Sequence, residues 1–486
     1  MEEKQKLNLN IEHIFNASKQ KLNAEEKKLI KKAYDFAEKA HEGQRRASGD
    51  PYFSHVYATA KNLAEFGFDA TTIAAGFLHD TVEDTNVTAE DIEREFGEEI
   101  RFLVEGVTKL GTIKYQGRKR HIESLRKFFI ATAQDLRVVA IKLCDRLHNA
   151  QTLEYVKKEK QKRIALETIE IYGPLAFRLG MSKLAGKLQD YAFPFAYPEE
   201  AKMVDDLLKS RKKVDERYLE KVWRTLKVEL AEHGIKDAEI HSRVKGKYSL
   251  WKKLLRKNMD INRIYDIVAL RVLVPQVEDA YRVLGIVHSK WRPLPGRIKD
   301  YIALPKINGY QSIHTTIFTG DGGIAEIQIR TYDMHEYAEY GPAAHSLYKL
   351  GGSKEIKWIQ ELKEVQEFTE NEQQFMKNLV DDFLDYRIFV FTPLGDVIDL
   401  PKGSSAIDFA YAIHTDIGHH AQAAKINGKH SALKTELQNG DIVEIETSKN
   451  TKPSRKWLEF VKTSLARKHI QNAVKDDGIL KKFFNR

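Results

Sequence analysis

At 486 residues the chain is too long for one hydrophobic core and predicts about three domains of ~150 residues each. Hydrophobic residues make up 42% and charged residues 31%, a balance that excludes an intrinsically disordered chain. The net charge of +9 is unevenly spread, since residues 41–110 sum to −8, residues 241–306 to +10 and residues 449–486 to +8. An acidic front, a basic middle and a basic end indicate that different segments meet different partners.

The cysteine content and the hydropathy indicate the cellular compartment in which the protein is expected. The single cysteine, Cys144, excludes a disulfide framework or a cysteine-rich zinc site and fits a reducing environment. The longest uncharged run, residues 307–320, has only 14 residues, whereas a membrane span needs about 20 predominantly apolar ones. The first residues have no cationic start followed by an apolar stretch, so a secretory signal is not expected. We expect a soluble, cytoplasmic protein with no membrane partner.

The front third has a helical pattern, with apolar residues at three- and four-residue spacing over residues 23–191. One helix is predicted to begin at Ala24, and another to follow Thr88, a typical capping residue. Two prolines within residues 191–198 predict the first domain boundary. A long charged helix is then expected over residues 202–233, closed by a glycine.

The pattern changes to mixed α/β after residue 240. Dense β-branched residues predict a buried strand at 267–274, and strict alternation predicts a second strand at 324–330. Helices are expected at 278–288 and 333–348. A charged helical connector is predicted at 354–377.

A small third unit follows the connector. Residues 387–400 predict a hairpin that turns at 393–395, and residues 406–414 predict a helix. A strand with a turn is expected at 423–428 and a last strand at 440–445. Strands around one helix in about 60 residues indicate a β-grasp module.

Four metal- or proton-competent side chains crowd one short segment of the front third: His79, Asp80, Glu83 and Asp84. In a helix, residues four apart share a face, so His79 lies above Glu83 and Asp80 above Asp84. Such a pattern suits either metal binding or an ordinary hydrogen-bonded pair of side chains.

Two further candidates favour the metal interpretation, because adjacent His79 and Asp80 bind one ion only with ligands from elsewhere. These candidates are His55 and Asp145, so that three separate helices supply four ligands. Imidazole and carboxylate ligands suit Mn, Fe or Zn better than Mg. The sequence therefore predicts a first-row divalent metal site that can act on a phosphoryl group.

The order His, His-Asp, Asp resembles the HD-domain metallophosphohydrolases, and residues 43–52, 79–85 and 142–149 resemble the hydrolase domain of the RelA/SpoT-homologue family. This resemblance implies removal of the 3′-pyrophosphate from guanosine tetra- and pentaphosphate with Mn²⁺. It implies four metal ligands: His55, His79, Asp80 and Asp145. It also implies that Glu83 and Asp84 handle or orient the attacking water, and that Arg46 and Asn149 contact the nucleotide.

Two details of this resemblance concern the nucleotide. Thr152 lies on the same helix face as Asn149, where it either holds substrate or is an ordinary surface residue. Ala47 stands where the family commonly has lysine, which predicts one weaker guanine or phosphate contact.

The basic middle alternates cations with small and aromatic residues over residues 242–253. Fixed cations suit polyphosphates and aromatic faces suit bases, although a solvated basic face or an RNA-binding strip has the same pattern. Two carboxylates, Asp266 and Glu326, interrupt the positive field. Alternation places Glu326, Gln328 and Arg330 on one sheet face. A carboxylate pair in a basic pocket matches what Mg²⁺ bridging phosphates requires, though each could equally form a salt bridge.

Residues 243–349 resemble the synthetase domain of the same family, which has a nucleotidyltransferase-like fold. The resemblance implies transfer of the β,γ-pyrophosphate of ATP to the 3′-hydroxyl of GDP or GTP. It implies Mg²⁺ bound by Asp266 and Glu326, with Tyr310 stacking on the guanine base. The implied ATP contacts are Arg243, Lys245, Ser249, Lys253 and Arg271. The implied guanine nucleotide contacts are Arg297, Lys299, Lys306, Asn308, Tyr310 and His314.

Residues 387–446 resemble the TGS domain of this family, in which His414 would meet a tRNA. The basic end favours RNA electrostatically, or is a solvated cationic helix. Long members continue further, so the chain is either a natural short form or a truncated one, and ribosome recruitment is in doubt.

The predicted fold class is multidomain α+β: an all-α HD-type hydrolase domain, a mixed α/β synthetase domain and a β-grasp TGS domain. The predicted divisions are 1–195 hydrolase, 196–240 helical linker, 241–350 synthetase, 351–385 helical connector, 386–448 TGS and 449–486 basic helical tail. We expect a bifunctional enzyme that makes and degrades guanosine tetra- and pentaphosphate. The alternatives are a hydrolase whose basic domain is an effector site, and a sensor bound to the ribosome or tRNA.

Overall fold

The computed structural model describes residues 8–111, 135–261, 264, 267–306, 309–320, 323–341, 387–438 and 440–484. These residues belong to two compact units, a first unit that ends at residue 341 and a second unit that begins at residue 387.

Helices make up the front of the first unit, as predicted. They are α1 (Glu12–Ala17), α2 (Ala24–Ala40), α3 (Phe53–Glu65), α4 (Ala70–Leu78), α5 (Thr81–Asp84), α6 (Ala89–Phe96), α7 (Glu98–Gly111), α8 (Leu136–Gln151), α9 (Lys158–Glu167), α10 (Gly173–Arg178) and α11 (Ser182–Ala196). The two predicted helix starts are confirmed. Asn23 and Thr88 each accept a backbone N–H of the first turn while a carboxylate three residues on accepts their own amide, which is a capping box.

The chain breaks between two helices inside the predicted range 191–198, at Tyr197 and not at the first proline. Helix α11 continues through Pro194, because Phe193 and Ala196 are buried in the core beside it. The chain turns one step later, at Tyr197, and α12 (Pro198–Glu232) begins with a proline, whose missing N–H costs nothing in a first turn. The long helix predicted over 202–233 is thus confirmed with an earlier start.

A five-stranded sheet follows, formed by β1 (Glu239–Val244), β2 (Val268–Val274), β3 (Lys299–Asp300), β4 (Ile313–Phe318) and β5 (Ile324–Thr331). The strand order is β1-β2-β5-β4-β3, with β2 and β5 parallel and the other pairs antiparallel. Helices α13 (Lys247–Arg256), α14 (Val277–Lys290) and α15 (Tyr332–Tyr340) lie between or after the strands.

The two faces of this sheet differ. One face is apolar, and residues such as Val272, Ile313 and Ile327 pack in one core with α12 and α14. The opposite face is polar and faces away from that core. The helix predicted over 333–348 is too long, since α15 ends at Tyr340, where Gly341 takes a φ of +81°. The later part of that prediction lies outside the described residues.

The second unit contains β6 (Arg387–Phe391), β7 (Val397–Pro401), α16 (Ala406–Ile413), α17 (Thr415–His419), β8 (Ala421–Ile426), β9 (Lys429–Ser431), β10 (Val443–Thr447) and α18 (Ser464–Phe484). The predicted hairpin, helix and strands are confirmed. A sheet of order β10-β8-β9 accompanies the β6-β7 hairpin, joined by a parallel bridge between Phe391 and Ile442.

The basic tail packs on this module. Ala466 and Ile470 of α18 are buried against α16. The buried carboxylate of Asp408 on α16 accepts N–H groups from Lys462 and Thr463, which ties the start of α18 to the module. The connector predicted at 354–377 lies outside the described residues.

The predicted fold class is confirmed, with a helical front, a mixed sheet and a small β module. Within the described ranges, no helix combines the length and the apolar character that crossing a bilayer requires.

Candidate active sites

The four predicted metal ligands come together in the first unit, and we call them the front site: His55, His79, Asp80 and Asp145. His55 lies on α3, His79 and Asp80 join α4 to α5, and Asp145 lies on α8. The His55 Nε2 atom is 3.3 Å from Asp80 Oδ2 and 3.2 Å from Asp145 Oδ1. The His79 Nε2 atom is 3.2 Å from Asp80 Oδ2. One ligand atom each from His55, His79 and Asp80 lies within 4.8 Å of the others, so these three groups could hold one ion.

The protonation of His79 supports cation binding. Its Nδ1 lies 2.8 Å from the carbonyl oxygen of Gly76, which can only accept, so Nδ1 carries the proton of the neutral ring. The Nε2 atom therefore has a free lone pair, yet it is buried and has no hydrogen-bond partner. A buried lone pair that faces a carboxylate oxygen is costly unless a proton or a metal ion lies between them, and, against the effect of burial, Asp80 raises the pKa of His79. The residues present thus fit a divalent metal.

Asp145 has additional partners. Lys142 Nζ lies 2.8 Å from its Oδ2, and the Asn149 amide donates to its Oδ1 at 2.5 Å. Burial alone would raise the pKa of the Asp145 carboxyl, but Lys142 and His55 outweigh it and hold that pKa well below the ordinary value. Asp145 is therefore ionised at neutral pH and can accept a cation as well as these donors.

The two predicted water-handling carboxylates differ in their surroundings. The Tyr52 hydroxyl lies 2.9 Å from Asp80 Oδ2 and 2.5 Å from Asp84 Oδ2, so it bridges the front site to Asp84. Glu83 is exposed, and the partial burial of its carboxyl raises its pKa although Lys142 opposes the shift. A carboxyl with a raised pKa beside a metal site suits proton transfer.

A cavity of about 220 Å³ opens beside the front site. Its lining includes Asp145 and all three predicted nucleotide contacts, Arg46, Asn149 and Thr152. The Arg46 guanidinium donates to Asn149 Oδ1 at 2.7 Å. Ala47 also lines the cavity. The arrangement places a cavity with cationic side chains in its lining next to the metal-competent cluster.

The second set of predicted residues meets on the polar face of the sheet, which we call the middle site. Strand pairing sets Lys299 opposite His314, His314 opposite Gln328, and Gln328 opposite Arg271. Arg243 reaches the same face and donates to Gln328 Oε1 at 3.1 Å. The predicted alternation of β5 is therefore confirmed.

Glu326 lies within this cationic face. Its Oε1 accepts from Gln328 Nε2 at 2.8 Å and lies 3.5 Å from His314 Nδ1. One carboxylate surrounded by cations suits a Mg²⁺ ion that also binds phosphate. Asp266, the other predicted Mg²⁺ ligand, lies outside the described residues. So does Asn308, a predicted guanine nucleotide contact.

Aromatic rings surround one cation of the middle site. The Lys306 Nζ atom lies 4.5 Å from the Tyr301 ring centroid and 4.8 Å from that of Tyr310. Burial, together with Lys299 and Arg243, lowers the pKa of Lys306 to about 8. The Tyr310 hydroxyl is 2.8 Å from His314 Nε2, and burial with the charge on Lys306 lowers the pKa of His314 to about 3. His314 is therefore neutral, and its Nε2 can accept a hydrogen bond from the Tyr310 hydroxyl.

The remaining predicted ATP contacts lie on or just before α13. Ser249 and Lys253 are one turn apart on this helix, and Lys245 precedes it. Arg297 and Ser249 are exposed. In the second unit, the His414 side chain at the end of α16 is 66% exposed. It is thus accessible to a partner.

Three family models match the chain in succession. Residues 33–182 match the HD domain, residues 242–353 match the region found in RelA / SpoT proteins, and residues 388–447 match the TGS domain. The guanosine-3′,5′-bis(diphosphate) 3′-pyrophosphohydrolase of Aquifex aeolicus (strain VF5) is 47% identical over 451 residues, which are 92% of this chain and 64% of that protein. By these matches the chain is similar to RelA/SpoT proteins over most of its length.

Two further RelA/SpoT relatives have similar extents. The GTP pyrophosphokinase of Streptomyces coelicolor is 44% identical over 482 residues, 94% of this chain and 57% of that protein. The bifunctional (p)ppGpp synthase/hydrolase SpoT of Escherichia coli (strain K12) is 40% identical over 457 residues, 92% of this chain and 65% of that protein. The chain thus spans less than two thirds of the length of these relatives.

Several residues of the front site and the middle site were not identified from the sequence. Tyr52 stands three residues before His55, a helical spacing that could have indicated a shared face. Tyr301 gave no such local signal, because its contacts with Tyr310 and His314 depend on how the chain folds. Alternation placed Arg330 on the polar sheet face, but no role was predicted for it. Arg330 is 1% exposed and donates to Glu339 at 3.2 Å. His148 lies within the motif 142–149, but no role was predicted for it.

Proposed function

We propose that this chain is a RelA/SpoT homologue that both synthesises and hydrolyses guanosine tetra- and pentaphosphate. The observation that carries the proposal is the presence of two chemically opposite sites in one unit: a metal-competent cluster beside an arginine-lined cavity, and a cationic sheet face around one carboxylate. The matched relatives are named for hydrolysis, for GTP pyrophosphorylation and for both activities, which supports the same assignment.

Hydrolysis is assigned to the front site. A divalent metal, Mn²⁺ in this proposal, would polarise a phosphoryl oxygen and lower the pKa of its water. Arg46, Asn149 and Thr152 hold the nucleotide in the adjoining cavity. Glu83 and Asp84 orient the water whose oxygen forms the new bond to phosphorus. The bond between phosphorus and the 3′-oxygen breaks, the 3′-oxygen takes a proton, and pyrophosphate leaves.

Synthesis is assigned to the middle site. Mg²⁺ held by Glu326 and Asp266 would neutralise phosphate charge. Arg243, Arg271 and α13 bind ATP, while Lys306, Tyr310 and their neighbours bind the guanine nucleotide. The 3′-oxygen of GDP or GTP forms a bond to the β-phosphorus of ATP, the bond from that phosphorus to the α,β-bridging oxygen breaks, and AMP leaves. The cations of the sheet face stabilise the charge that builds on these oxygens.

The second unit and the compartment complete the proposal. We assign a tRNA or ribosome contact to His414 and the basic tail, because His414 is exposed and the tail is cationic. A cytoplasmic location agrees with the single cysteine, which is buried.

The experiment incubates the purified chain with ATP labelled in its β- and γ-phosphates and with GDP in the presence of Mg²⁺. We expect label in guanosine tetraphosphate together with AMP. In a second reaction with Mn²⁺, we expect that product to return GDP and pyrophosphate. Hydrolysis without transfer would indicate a hydrolase with an effector domain, and no reaction in either direction would indicate a sensor.

A further inference from the structure

One half-buried histidine lies between the proposed nucleotide contact Arg46 and the metal-competent cluster, and the proposed function gives it no role. His148 lies on α8 between Asp145 and the end of the helix, next to Asn149. Its Nδ1 atom is 2.8 Å from His55 Nδ1 and 3.1 Å from Arg46 Nη1. One ring nitrogen therefore meets both a predicted metal ligand and a predicted nucleotide contact.

The direction of these hydrogen bonds follows from arginine chemistry. A guanidinium can only donate, so the Nδ1 atom of His148 must offer a lone pair to Arg46. The Nδ1 atom of His55 must then carry a proton and donate to the same lone pair. That leaves His55 Nε2 as the atom free to bind a cation. Nε2 is the atom that faces Asp80 and Asp145, at 3.3 Å and 3.2 Å.

A hydrogen-bond partner also fixes the tautomer of His79, the other predicted histidine ligand. His79 donates Nδ1–H to the Gly76 carbonyl, which leaves its Nε2 toward Asp80. Histidines that bind metals generally donate their other N–H to such a partner, which fixes the tautomer and the ring orientation. For His79 the partner is backbone and cannot be removed by substitution, whereas for His55 it is a side chain.

We propose that His148 is a positioning residue of the front site, which holds His55 in its Nδ1–H form and so prepares His55 Nε2 for a divalent cation. This inference rests on the proposed metal-dependent hydrolase function. It predicts that cation affinity depends on a lone pair at position 148, in the absence of any nucleotide.

The test is a titration of the purified chain with Mn²⁺ alone, in which free Mn²⁺ is measured by electron paramagnetic resonance. His148→Leu removes the acceptor and is expected to weaken Mn²⁺ binding roughly 10- to 100-fold. His148→Asn places a carboxamide oxygen close to the position of Nδ1 as acceptor and is expected to stay within a few-fold of the unsubstituted chain. His13→Leu changes an exposed histidine of α1 in the same way and is the matched control, expected to bind normally.

The outcomes separate the two levels of the proposal. Normal binding by His148→Leu would overturn the role of His148 while leaving the metal site intact. No binding by the unsubstituted chain would overturn the metal site itself. If His148→Leu fails to fold, nitrogen-15 spectra of the unsubstituted chain decide the matter, with the His55 signals assigned by their loss in His55→Gln. A proton on His55 Nδ1 supports the proposal, and a proton only on Nε2 contradicts it.

Discussion

The lowered pKa of Lys306 predicts how guanine nucleotide binding depends on pH. Burial between Tyr301 and Tyr310, with Lys299 and Arg243 nearby, lowers this pKa from 10.5 to about 8. The folded chain therefore favours the neutral amine, and the ammonium is present below about pH 8 and lost above it. Because nucleotide phosphates bind the cation, binding should weaken as the pH rises through this value.

The magnitude follows from the fraction of protonated lysine. With a pKa of about 8, roughly nine tenths of Lys306 is charged at about pH 7 and roughly one tenth at about pH 9. If only the charged form binds, the KM for GDP or GTP rises roughly tenfold over this interval. Lys306→Arg keeps the charge throughout, so its profile should be nearly flat.

The assay is initial-rate synthesis at saturating ATP, with the GDP concentration varied at each pH. The KM for ATP, measured over the same range, should change much less than the KM for GDP, because burial lowers the pKa of the predicted ATP contact Arg271 only to about 10. If the KM for GDP changed with pH in the same way for the unsubstituted chain and for Lys306→Arg, the reasoning would be refuted.

Three further predictions test the two sites separately. Asp80→Ala should abolish hydrolysis and leave synthesis, because the metal-competent cluster loses a ligand, and equal loss of both activities would argue against two sites. Tyr310→Ala should raise the KM for guanine nucleotide more than that for ATP, since stacking on a base contributes about 1–3 kcal/mol, and the opposite order would contradict the stacking role. Asp190→Ala should raise the KM for ATP about fivefold, because the carboxylate accepts the Tyr248 N–H at 3.0 Å in the first turn of α13 and such a cap contributes about 1 kcal/mol. Asp190→Asn keeps an acceptor and is its control; an unchanged KM for ATP in Asp190→Ala would show that this contact does not position α13.

Local signals account for the parts of the fold that the sequence predicts well. The helix starts after Asn23 and Thr88 depend on a side chain three residues away, so a short window contains the whole cause. The polar face of β5 depends on alternation alone, and Glu326 and Gln328 lie there together as predicted.

Other features depend on packing that no short window contains. A proline inside a helical pattern predicts a break, yet burial of Phe193 and Ala196 keeps α11 intact around Pro194. The end of α15 at Gly341 is different, because a glycine followed by a proline is a local signal for a helix end that the prediction overlooked.

The candidate sites show the same division. The resemblance of short motifs identified the residues of the front site, since each motif carries one or two ligands. The link from His55 to His148 joins residues 93 positions apart, and that from Arg46 to His148 joins residues 102 apart. The packing of α3 against α8 brings His55 to His148, and the segment before α3 brings Arg46 there, so the role of His148 follows from the structure alone.

The cation at the front site is the central claim, and anomalous diffraction from crystals of the chain grown with Mn²⁺ tests it most directly. We predict a manganese peak within bonding distance of His55 Nε2, His79 Nε2 and an Asp80 oxygen. A map with no peak among these atoms, or with manganese bound only by exposed carboxylates elsewhere, would contradict the account.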